Sequence, residues 1–415
     1  MKLKVKKSYI MEGTILVSGS KNACLPEMVV PLLTKEKVIL YNVPSILDVY
    51  SMIDILKKIN VKVDYNEETK TLTLQRRKIK KNSTGHEISK IRASYYLMGA
   101  LFSIKKNFVT KYPGGCNFVN RPINYHLDAL KKMGASIKQK NNKIIIKRKR
   151  KLPCIINLET KSLGTTINII FASVLTKGET IINNASIEPE VIDVINLLNK
   201  MNASITIIND QIIIKGVKKL KGTTHYVIPD RMEAGSYMFL ASSLKGSNVL
   251  LKNINLNHLE YVINFLKKQG LIIIEKKDEL RIINSNLSNS TNIIADNYPL
   301  FPTDLQQIAC SYLLTCEGLS VVKDNIYPKR FSEVLELLNM NANMYILDNV
   351  LLIMKSNLIG KTVFAKDLRA GFSLIIAGTI AEGETIIENA EVILRGYENV
   401  VQKLKNCNIN IEAMK

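Results

Sequence analysis

The side chain best suited to covalent or acid–base chemistry is the thiol of Cys116, in the segment KYPGGCNFVNRP from Lys111 to Pro122. The two glycines directly before it give a loop that can approach a ligand closely. Lys111 and Arg121 flank the thiol, and nearby cations favour the thiolate form of a cysteine. We therefore predict a reactive thiol here rather than a small core residue.

Charged side chains open several apolar, helix-like runs of the sequence. They are Lys21, Arg92, Asp230 with Arg231, Asp304, and Asp367 with Arg369. Helix N-termini present free backbone N–H groups and the positive end of the helix dipole, which suits phosphates and carboxylates. Because these side chains recur at equivalent positions, we predict that they form an anion-binding site. For any single arginine, a surface ion pair is the alternative.

Asp304 lies in the segment YPLFPTDLQ from Tyr298 to Gln306, at the start of one such run. An acidic residue there would suit the N-terminal cap region of a helix. If that helix end faces a ligand, the carboxylate could instead hold or deprotonate a hydroxyl group. The residues alone leave both roles open.

Six similar units position these side chains. Their opening segments recur roughly every seventy residues and begin at Gly19, Lys90, Lys161, Asp230, Thr303 and Asp367. Each helix-like run is followed by a turn, a β-like run and a second helical pattern that ends in strand-like alternation. This predicts an α/β protein of two domains with three units each. We place the domains at 22–229, with the glycine loop, and at 1–21 plus 230–415.

The composition indicates a large globular protein without a membrane helix. Its 415 residues are 46% hydrophobic, enough to bury a sizeable core. No apolar stretch approaches the roughly 18 residues of a membrane helix, and the N-terminus has no signal-type run. The six cysteines are scattered and lack zinc-ligand spacing. We expect a cytoplasmic protein without a disulfide framework, metal or cofactor.

The formal net charge of +22 would suit a polyanionic partner such as nucleic acid. Its densest clusters, Gln75–Lys81 and Lys147–Lys151, lie at the ends of repeat units, where surface connections belong. No RNA-recognition signature or aromatic ladder accompanies them. We interpret the excess lysines as solvated surface residues.

Several segments, taken in order, are typical of one enzyme family. They are GSKNACLP, IRASYYLMG, PGGCNFVNRP, EPEVID, PDRMEAGSY, YPLFPTDLQ, DLRAGFS and RGYENVVQKL. Through them the chain resembles the UDP-N-acetylglucosamine 1-carboxyvinyltransferases, also called UDP-N-acetylglucosamine enolpyruvyl transferases. The related 5-enolpyruvylshikimate-3-phosphate synthases share the opening lysine but lack the PGGC loop. The resemblance implies two inside-out α/β barrel domains, each of three βαβαββ-type units, with the active site in the interdomain cleft.

The resemblance also implies a reaction. The enolpyruvyl group of phosphoenolpyruvate would move to the 3′-hydroxyl of UDP-N-acetylglucosamine through a tetrahedral ketal, with release of phosphate. This is the first committed step of peptidoglycan synthesis, and so serves cell wall biogenesis, cell shape and cell division. These two substrates would be the partners of a monomer that binds neither nucleic acid nor membrane.

The family's functional residues map onto matching positions of this chain. Cys116 would be the general acid, could form an adduct with phosphoenolpyruvate and would be the target of fosfomycin. Asp304 would bind the 3′-hydroxyl and take its proton, and Lys21 would assist catalysis. The residues implied for phosphoenolpyruvate are Lys21, Asn22, Arg121, Arg330, Arg369 and Arg395. Those implied for the nucleotide sugar are Asn22, Arg92, Arg121, Pro122, Ile123, Asn124, Tyr125, Ser162, Leu163, Asp304 and Ile326.

The chain departs from the family pattern at a few positions. Asn124 stands for a common Asp, Ile167 for Glu, Pro328-Lys329 for Glu-Asn and Leu394 for Asp. These departures leave two alternatives. The protein could be a decayed enzyme scaffold that binds polyanions, or it could transfer the enolpyruvyl group to another acceptor. Because the implied catalytic residues are all retained, we expect an active enzyme.

Overall fold

The computed structural model describes residues 1–79, 87–114, 123–285 and 288–414. These residues form two compact units, one made of residues 1–18 with those from Pro229 onward, the other lying between Gly19 and Ile228. The domains of three repeat units each, placed at 22–229 and at 1–21 plus 230–415, stay a prediction.

Short strands recur through both units. Up to residue 111 they are β1 (Lys2–Lys6), β2 (Glu12–Leu16), β3 (Val38–Tyr41), β4 (Val61–Asn66), β5 (Thr71–Arg76) and β6 (Asn107–Lys111). The next are β7 (Ala135–Lys140), β8 (Lys143–Arg148), β9 (Ile155–Asn157), β10 (Glu179–Asn183), β11 (Ser204–Ile208), β12 (Gln211–Lys215) and β13 (Thr223–Tyr226). The last are β14 (Asn248–Lys252), β15 (Ile272–Lys276), β16 (Glu279–Ile283), β17 (Asn292–Ala295), β18 (Leu319–Asp324), β19 (Asn343–Leu347), β20 (Val350–Met354), β21 (Thr362–Phe364), β22 (Glu384–Glu388) and β23 (Ile411–Met414).

Helices alternate with these strands. In the unit between Gly19 and Ile228 they are α1 (Lys21–Glu27), α2 (Leu47–Lys58), α3 (Tyr96–Ile104), α4 (Asn124–Lys132), α5 (Leu163–Ser173) and α6 (Pro189–Lys200). In the other unit they are α7 (Arg231–Ser243), α8 (Glu260–Lys268), α9 (Thr303–Leu313), α10 (Val334–Asn339), α11 (Leu368–Ile380) and α12 (Val400–Lys405). Short 3₁₀ helices cover Val30–Leu33, Glu87–Lys90, Arg92–Tyr95, Leu256–His258 and Ala390–Arg395.

Each unit contains three small sheets. In the unit between Gly19 and Ile228 the strand orders are β13-β3-β5-β4, β6-β8-β7 and β11-β12-β10-β9. In the other unit they are β15-β16-β14-β2, β17-β18-β20-β19 and β21-β22-β1-β23. Most of these sheets have antiparallel strands and one parallel strand at an edge. For example, β2 pairs in parallel with β14, and Ile15 lies opposite Leu251. Buried and half-buried residues alternate along β14, so one face of its sheet packs on the core.

The helices that open the repeats are buried on nearly every side, which requires apolar or small residues around their whole circumference. In α7 every residue from Arg231 to Ser243 is buried. The second helix of a repeat is amphipathic instead: α6 buries Val191 and Ile195 but exposes Asn196 and Lys200. In each unit the buried helices form the core and the sheets surround them. The predicted inside-out α/β architecture of repeated units is confirmed.

The helices in the described part of the chain are also too short to cross a bilayer. The longest, α7 and α11, have 13 residues each. None combines the length and the apolar character that a membrane span requires.

Close packing of the buried helices is testable at two helical glycines. A Cβ on Gly99 of α3 would lie 2.3 Å from the backbone oxygen of Asn168 in α5, whereas one on Gly235 of α7 would meet the movable end of the Leu305 side chain. We expect Gly99→Ala to lower the free energy of unfolding by about 2 kcal/mol, because a backbone atom must shift. Gly235→Ala should lower the free energy of unfolding by less than half of the loss expected for Gly99→Ala. Urea denaturation measures both, and equal losses would contradict this packing.

Candidate active site

Two arginines meet the carboxylate of Asp304 in the first turn of α9. Arg330 Nη1 donates to Asp304 Oδ1 at 2.8 Å, and Arg369 Nη2 donates to Oδ2 at 3.2 Å. Arg330 comes just before α10, and Arg369 is the second residue of α11. The structure therefore brings together three of the predicted site residues, which lie far apart in sequence.

Arg369 is a buried cation with a specific set of partners. Only 2% of its surface is exposed. Its Nη1 donates to the hydroxyl of Tyr397 at 2.8 Å, and its guanidinium group lies 5.3 Å from the centre of that ring. Burial alone would lower the pKa of Arg369, but Tyr397, Asp304 and Asp230 raise it above its usual value. The side chain is therefore permanently charged.

Arg330 connects the start of α9 to the loop that follows β18. Its Nη1 also donates to Thr303 Oγ1 at 3.1 Å, and its Nε donates to Gln307 Oε1 at 3.3 Å. The hydroxyl of Thr303 donates to Asp324 Oδ2, and Asp324 Oδ1 accepts the backbone N–H of Ile326 at 2.8 Å. The backbone of Ile326, another predicted site residue, is thus fixed relative to Asp304.

Lys21 is the first residue of α1, whose N-cap Ser20 accepts the backbone N–H of Ala23. Its Nζ lies 3.5 Å from Asp48 Oδ2 in the first turn of α2. Asn22 follows on α1 and is half-buried. The sequence did not reveal Asp48, because an acid in the first turn of a helix is common for stability alone.

Several of the predicted nucleotide-sugar residues lie at three helix starts in the unit between Gly19 and Ile228. Arg92 begins the 3₁₀ helix before α3, and its guanidinium group lies 5.8 Å from the centre of the Tyr95 ring. Ser162 caps α5 by accepting the backbone N–H of Thr165 at 3.3 Å, which places Leu163 at the first helical position.

At the third helix start, Asn124 and Tyr125 are the first two residues of α4 and Ile123 precedes them. Ile123 is buried and Asn124 is exposed. The hydroxyl of Tyr125 donates to Glu159 Oε2 at 3.3 Å.

Several other predicted residues can be placed only in part. Cys116, Arg121 and Pro122 lie outside the described residues. Arg395 is the last residue of the 3₁₀ helix Ala390–Arg395 and is half-buried. The structure therefore does not test the predicted thiol chemistry, and the roles of these residues stay predictions.

Two of the departures from the family pattern have a packing explanation. Ile167 is fully buried in α5, and Leu394 packs against the core of its unit. Pro328 and Lys329 are exposed in the loop before Arg330. The apolar replacements therefore contribute to the core, and they leave the contacts of Asp304 in place.

Similarity to known proteins covers almost the whole chain. A family model described as EPSP synthase (3-phosphoshikimate 1-carboxyvinyltransferase) matches residues 5–404. The UDP-N-acetylglucosamine 1-carboxyvinyltransferase of Wolbachia sp. subsp. Brugia malayi is 39% identical, with 99% of each chain covered. The chain belongs to the enolpyruvyl transferase family. Its relative of the same name in Halothermothrix orenii is 37% identical, with 100% of each chain covered. The family predicted from the ordered segments is confirmed.

Solved enolpyruvyl transferase structures have the same fold. The enolpyruvyl transferase NikO from Streptomyces tendae matches with a TM-score of 0.90 at 18% identity, covering 99% of this chain and 98% of that chain. EPSP synthase from Acinetobacter baumannii matches with a TM-score of 0.78 at 16% identity, with both chains covered completely. At these identities the likeness establishes the fold alone.

The contact between Arg369 and Tyr397 should contribute measurably to stability. We expect Tyr397→Phe to lower the free energy of unfolding by about 1–3 kcal/mol, because it removes the acceptor of a buried, charged donor. Tyr345→Phe is the matched control, since Tyr345 is 60% exposed, and should change stability by less than about 0.5 kcal/mol. Chemical denaturation would measure both variants. Indistinguishable stabilities would show that the buried contact contributes nothing.

His126 should make stability depend on pH. It is buried, and Asn168 Nδ2 lies 2.9 Å from its Nδ1. Burial and then the charge of Arg92 lower the pKa of His126 from 6.5 to about 3. Below pH 6.5 the unfolded chain therefore binds a proton at this position that the folded chain does not bind, so stability falls as the pH drops towards 3.

We expect wild type to lose about 2 kcal/mol more stability than His126→Gln between pH 6.5 and 4.5. This is less than about 1.4 kcal/mol for each pH unit, because the histidine of the unfolded chain is already half protonated at pH 6.5. Denaturation midpoints at several pH values would test this. Parallel pH profiles for the two proteins would contradict the assigned neutral state.

Proposed function

We propose that this enzyme transfers the enolpyruvyl group of phosphoenolpyruvate to the 3′-hydroxyl of UDP-N-acetylglucosamine and releases phosphate. The observation that carries this proposal is the near full-length similarity to several UDP-N-acetylglucosamine 1-carboxyvinyltransferases at 36–39% identity. Such similarity favours an active transferase over a decayed scaffold that binds polyanions. The product is the first committed precursor of peptidoglycan.

The proposed reaction begins with addition. Asp304 accepts a hydrogen bond from the 3′-hydroxyl and takes its proton as the oxygen attacks C2 of phosphoenolpyruvate. Cys116 delivers a proton to C3. The new C–O and C–H bonds give a tetrahedral ketal that retains the phosphate and the carboxylate. Loss of a proton from C3 and cleavage of the C2–O bond to phosphate then restore the double bond in the product.

The contacts of Asp304 support its part in this scheme. Each of its carboxylate oxygens accepts a hydrogen bond from a different guanidinium group. A carboxylate oxygen has a second lone pair, which can accept a hydrogen bond from a substrate hydroxyl. Its side chain is 28% exposed, whereas those of Arg330 and Arg369 are 3% and 2% exposed. The carboxylate is therefore both fixed and accessible from solvent.

The proposed reaction also needs cations that bind the negative charges of the substrate and of the ketal. Phosphoenolpyruvate and the ketal both carry a phosphate and a carboxylate, and preorganised donors that bind the ketal more tightly lower the barrier. Arginine suits this because its planar guanidinium group binds oxyanions through two parallel hydrogen bonds. In our proposal Arg330 and Arg369 act together with Lys21, Asn22, Arg121 and Arg395.

We assign the nucleotide sugar to the helix starts of the unit between Gly19 and Ile228. The N-terminus of α5, capped by the neutral side chain of Ser162, offers backbone N–H groups and a positive dipole end for a diphosphate. Arg92, the segment 121–125, Leu163 and Ile326 complete this proposed site. We also infer that the enzyme acts as a cytoplasmic monomer, and light scattering would test its oligomeric state.

The proposed function predicts phosphate release from phosphoenolpyruvate that depends on UDP-N-acetylglucosamine. We expect Cys116→Ser to reduce turnover by at least about 100-fold, the lower range of general acid catalysis. Cys154→Ser should remain close to wild type, since Cys154 is a half-buried cysteine outside the proposed site. A coupled phosphate assay measures all three proteins. Normal turnover by Cys116→Ser would contradict the role of the thiol. Phosphate release that does not depend on UDP-N-acetylglucosamine would contradict the proposed reaction.

A further inference from the structure

A second cluster of ionisable side chains lies in the unit between Gly19 and Ile228 and has no part in the proposed reaction. Glu27 is the last residue of α1, Asp193 lies on α6 and His225 lies on β13. All three are buried, with exposed fractions of 0%, 4% and 4%. One oxygen or nitrogen atom from each lies within 4.8 Å of the others. Three different elements thus present ligand-type atoms to one point in the interior.

Glu27 is the unusual member of this cluster. Neither of its carboxylate oxygens has a hydrogen-bond partner among the described residues. Burial, and then the charge of Asp193, raise the pKa of Glu27 well above its usual value. Buried carboxylates in proteins are normally paired or bound to a metal ion, because an isolated buried charge is costly. His225 Nε2 lies 3.6 Å from Glu27 Oε1, beyond hydrogen-bond distance, so both oxygens can still take up a proton or a metal ion.

We propose that Glu27, Asp193 and His225 bind one divalent transition metal ion of the zinc class. An imidazole and two carboxylates form a donor set that suits Zn²⁺ and Co²⁺. His225 Nε2 lies 2.9 Å from Asp193 Oδ1 and 3.6 Å from Glu27 Oε1. In a tetrahedral zinc site, two ligand atoms are roughly 3.4 Å apart, and this value lies between the two distances. Two carboxylates with a neutral imidazole also balance the charge of the ion.

The surroundings of the cluster orient these ligands. Asp193 Oδ2 accepts the backbone N–H of Ile228 at 3.1 Å, so that Oδ1 faces His225. Lys200 Nζ lies 3.2 Å from Nδ1 of the imidazole. Because Lys200 is exposed, its ammonium group can turn towards water. Nδ1 then carries the ring proton while Nε2 binds the metal.

Protons are the competing occupants of this cluster. Burial alone would lower the pKa of His225, but the carboxylates of Asp193 and Glu27 raise it to about 9. A metal ion at this position replaces the protons on these side chains, as metal binding to titratable ligands generally does. It also links α1, α6 and β13, and α1 begins with Lys21. The expectation of no metal was based on cysteine and histidine spacing, which cannot reveal ligands at positions 27, 193 and 225.

The test uses the full, untagged chain after treatment with EDTA and desalting. Co²⁺ is added at pH 7.5 and its visible d–d absorption is followed, and Zn²⁺ is then used to displace it. After incubation with Zn²⁺ and gel filtration, elemental analysis gives the metal retained per chain. The same experiments use Glu27→Gln, which keeps the shape but removes the charge. Glu190→Gln is the control, since Glu190 is a buried glutamate on α6 outside the cluster.

We expect wild type and Glu190→Gln to retain one more equivalent of zinc than Glu27→Gln, and Co²⁺ to bind Glu27→Gln at least about 100-fold more weakly. Zinc should raise the Tm of wild type and leave that of Glu27→Gln unchanged. Circular dichroism of Glu27→Gln without metal checks that this variant folds, and Asp193→Asn provides a second variant if it does not. Equal metal retention by wild type and the cluster variants, or no retention by wild type, would overturn the proposal.

Discussion

Two buried guanidinium groups share one carboxylate, and this contact constrains the whole unit that contains Asp304. A buried cation is tolerated only when hydrogen bonds and an opposite charge compensate for lost hydration. Arg330 and Arg369 obtain both from Asp304, so the start of α9, the loop before α10 and the start of α11 must meet at fixed distances. The buried helices and the small sheets around them keep these chain segments in register. A cluster of charged side chains held in fixed positions follows from that arrangement.

The repeated architecture gives each unit several helix N-termini, and the capping residues make them chemically different. Ser20 and Ser162 cap α1 and α5, and a neutral cap leaves the positive end of the helix dipole available for anions. Asp230 and Asp367 cap α7 and α11, and each is followed by an arginine in the first turn of its helix, Arg231 and Arg369. In our proposal the same supersecondary unit therefore serves anion binding in one copy and supports a buried cation in another.

Much of this could be predicted from the sequence, because the information is local. The six opening segments indicated helix starts, and Lys21, Ser162, Thr303 and Asp367 lie at or next to such starts in the structure. The partners across elements could not be predicted. Asp48 beside Lys21 and Tyr397 beside Arg369 become neighbours only through packing. Glu27 also gave no signal, since its neighbours come from distant parts of the chain. The chemistry assigned to Cys116 stays a prediction.

The choice of acceptor tests the central claim most directly. Phosphoenolpyruvate labelled with ¹³C at C2 and C3 would be incubated with the enzyme and an equimolar mixture of UDP-N-acetylglucosamine and shikimate 3-phosphate, and the products followed by ¹³C and ³¹P NMR. The proposed reaction predicts labelled enolpyruvyl carbons attached to the 3′-oxygen of the nucleotide sugar, with phosphate formed in equal amount. Label on shikimate 3-phosphate, or no transfer by folded enzyme, would contradict it.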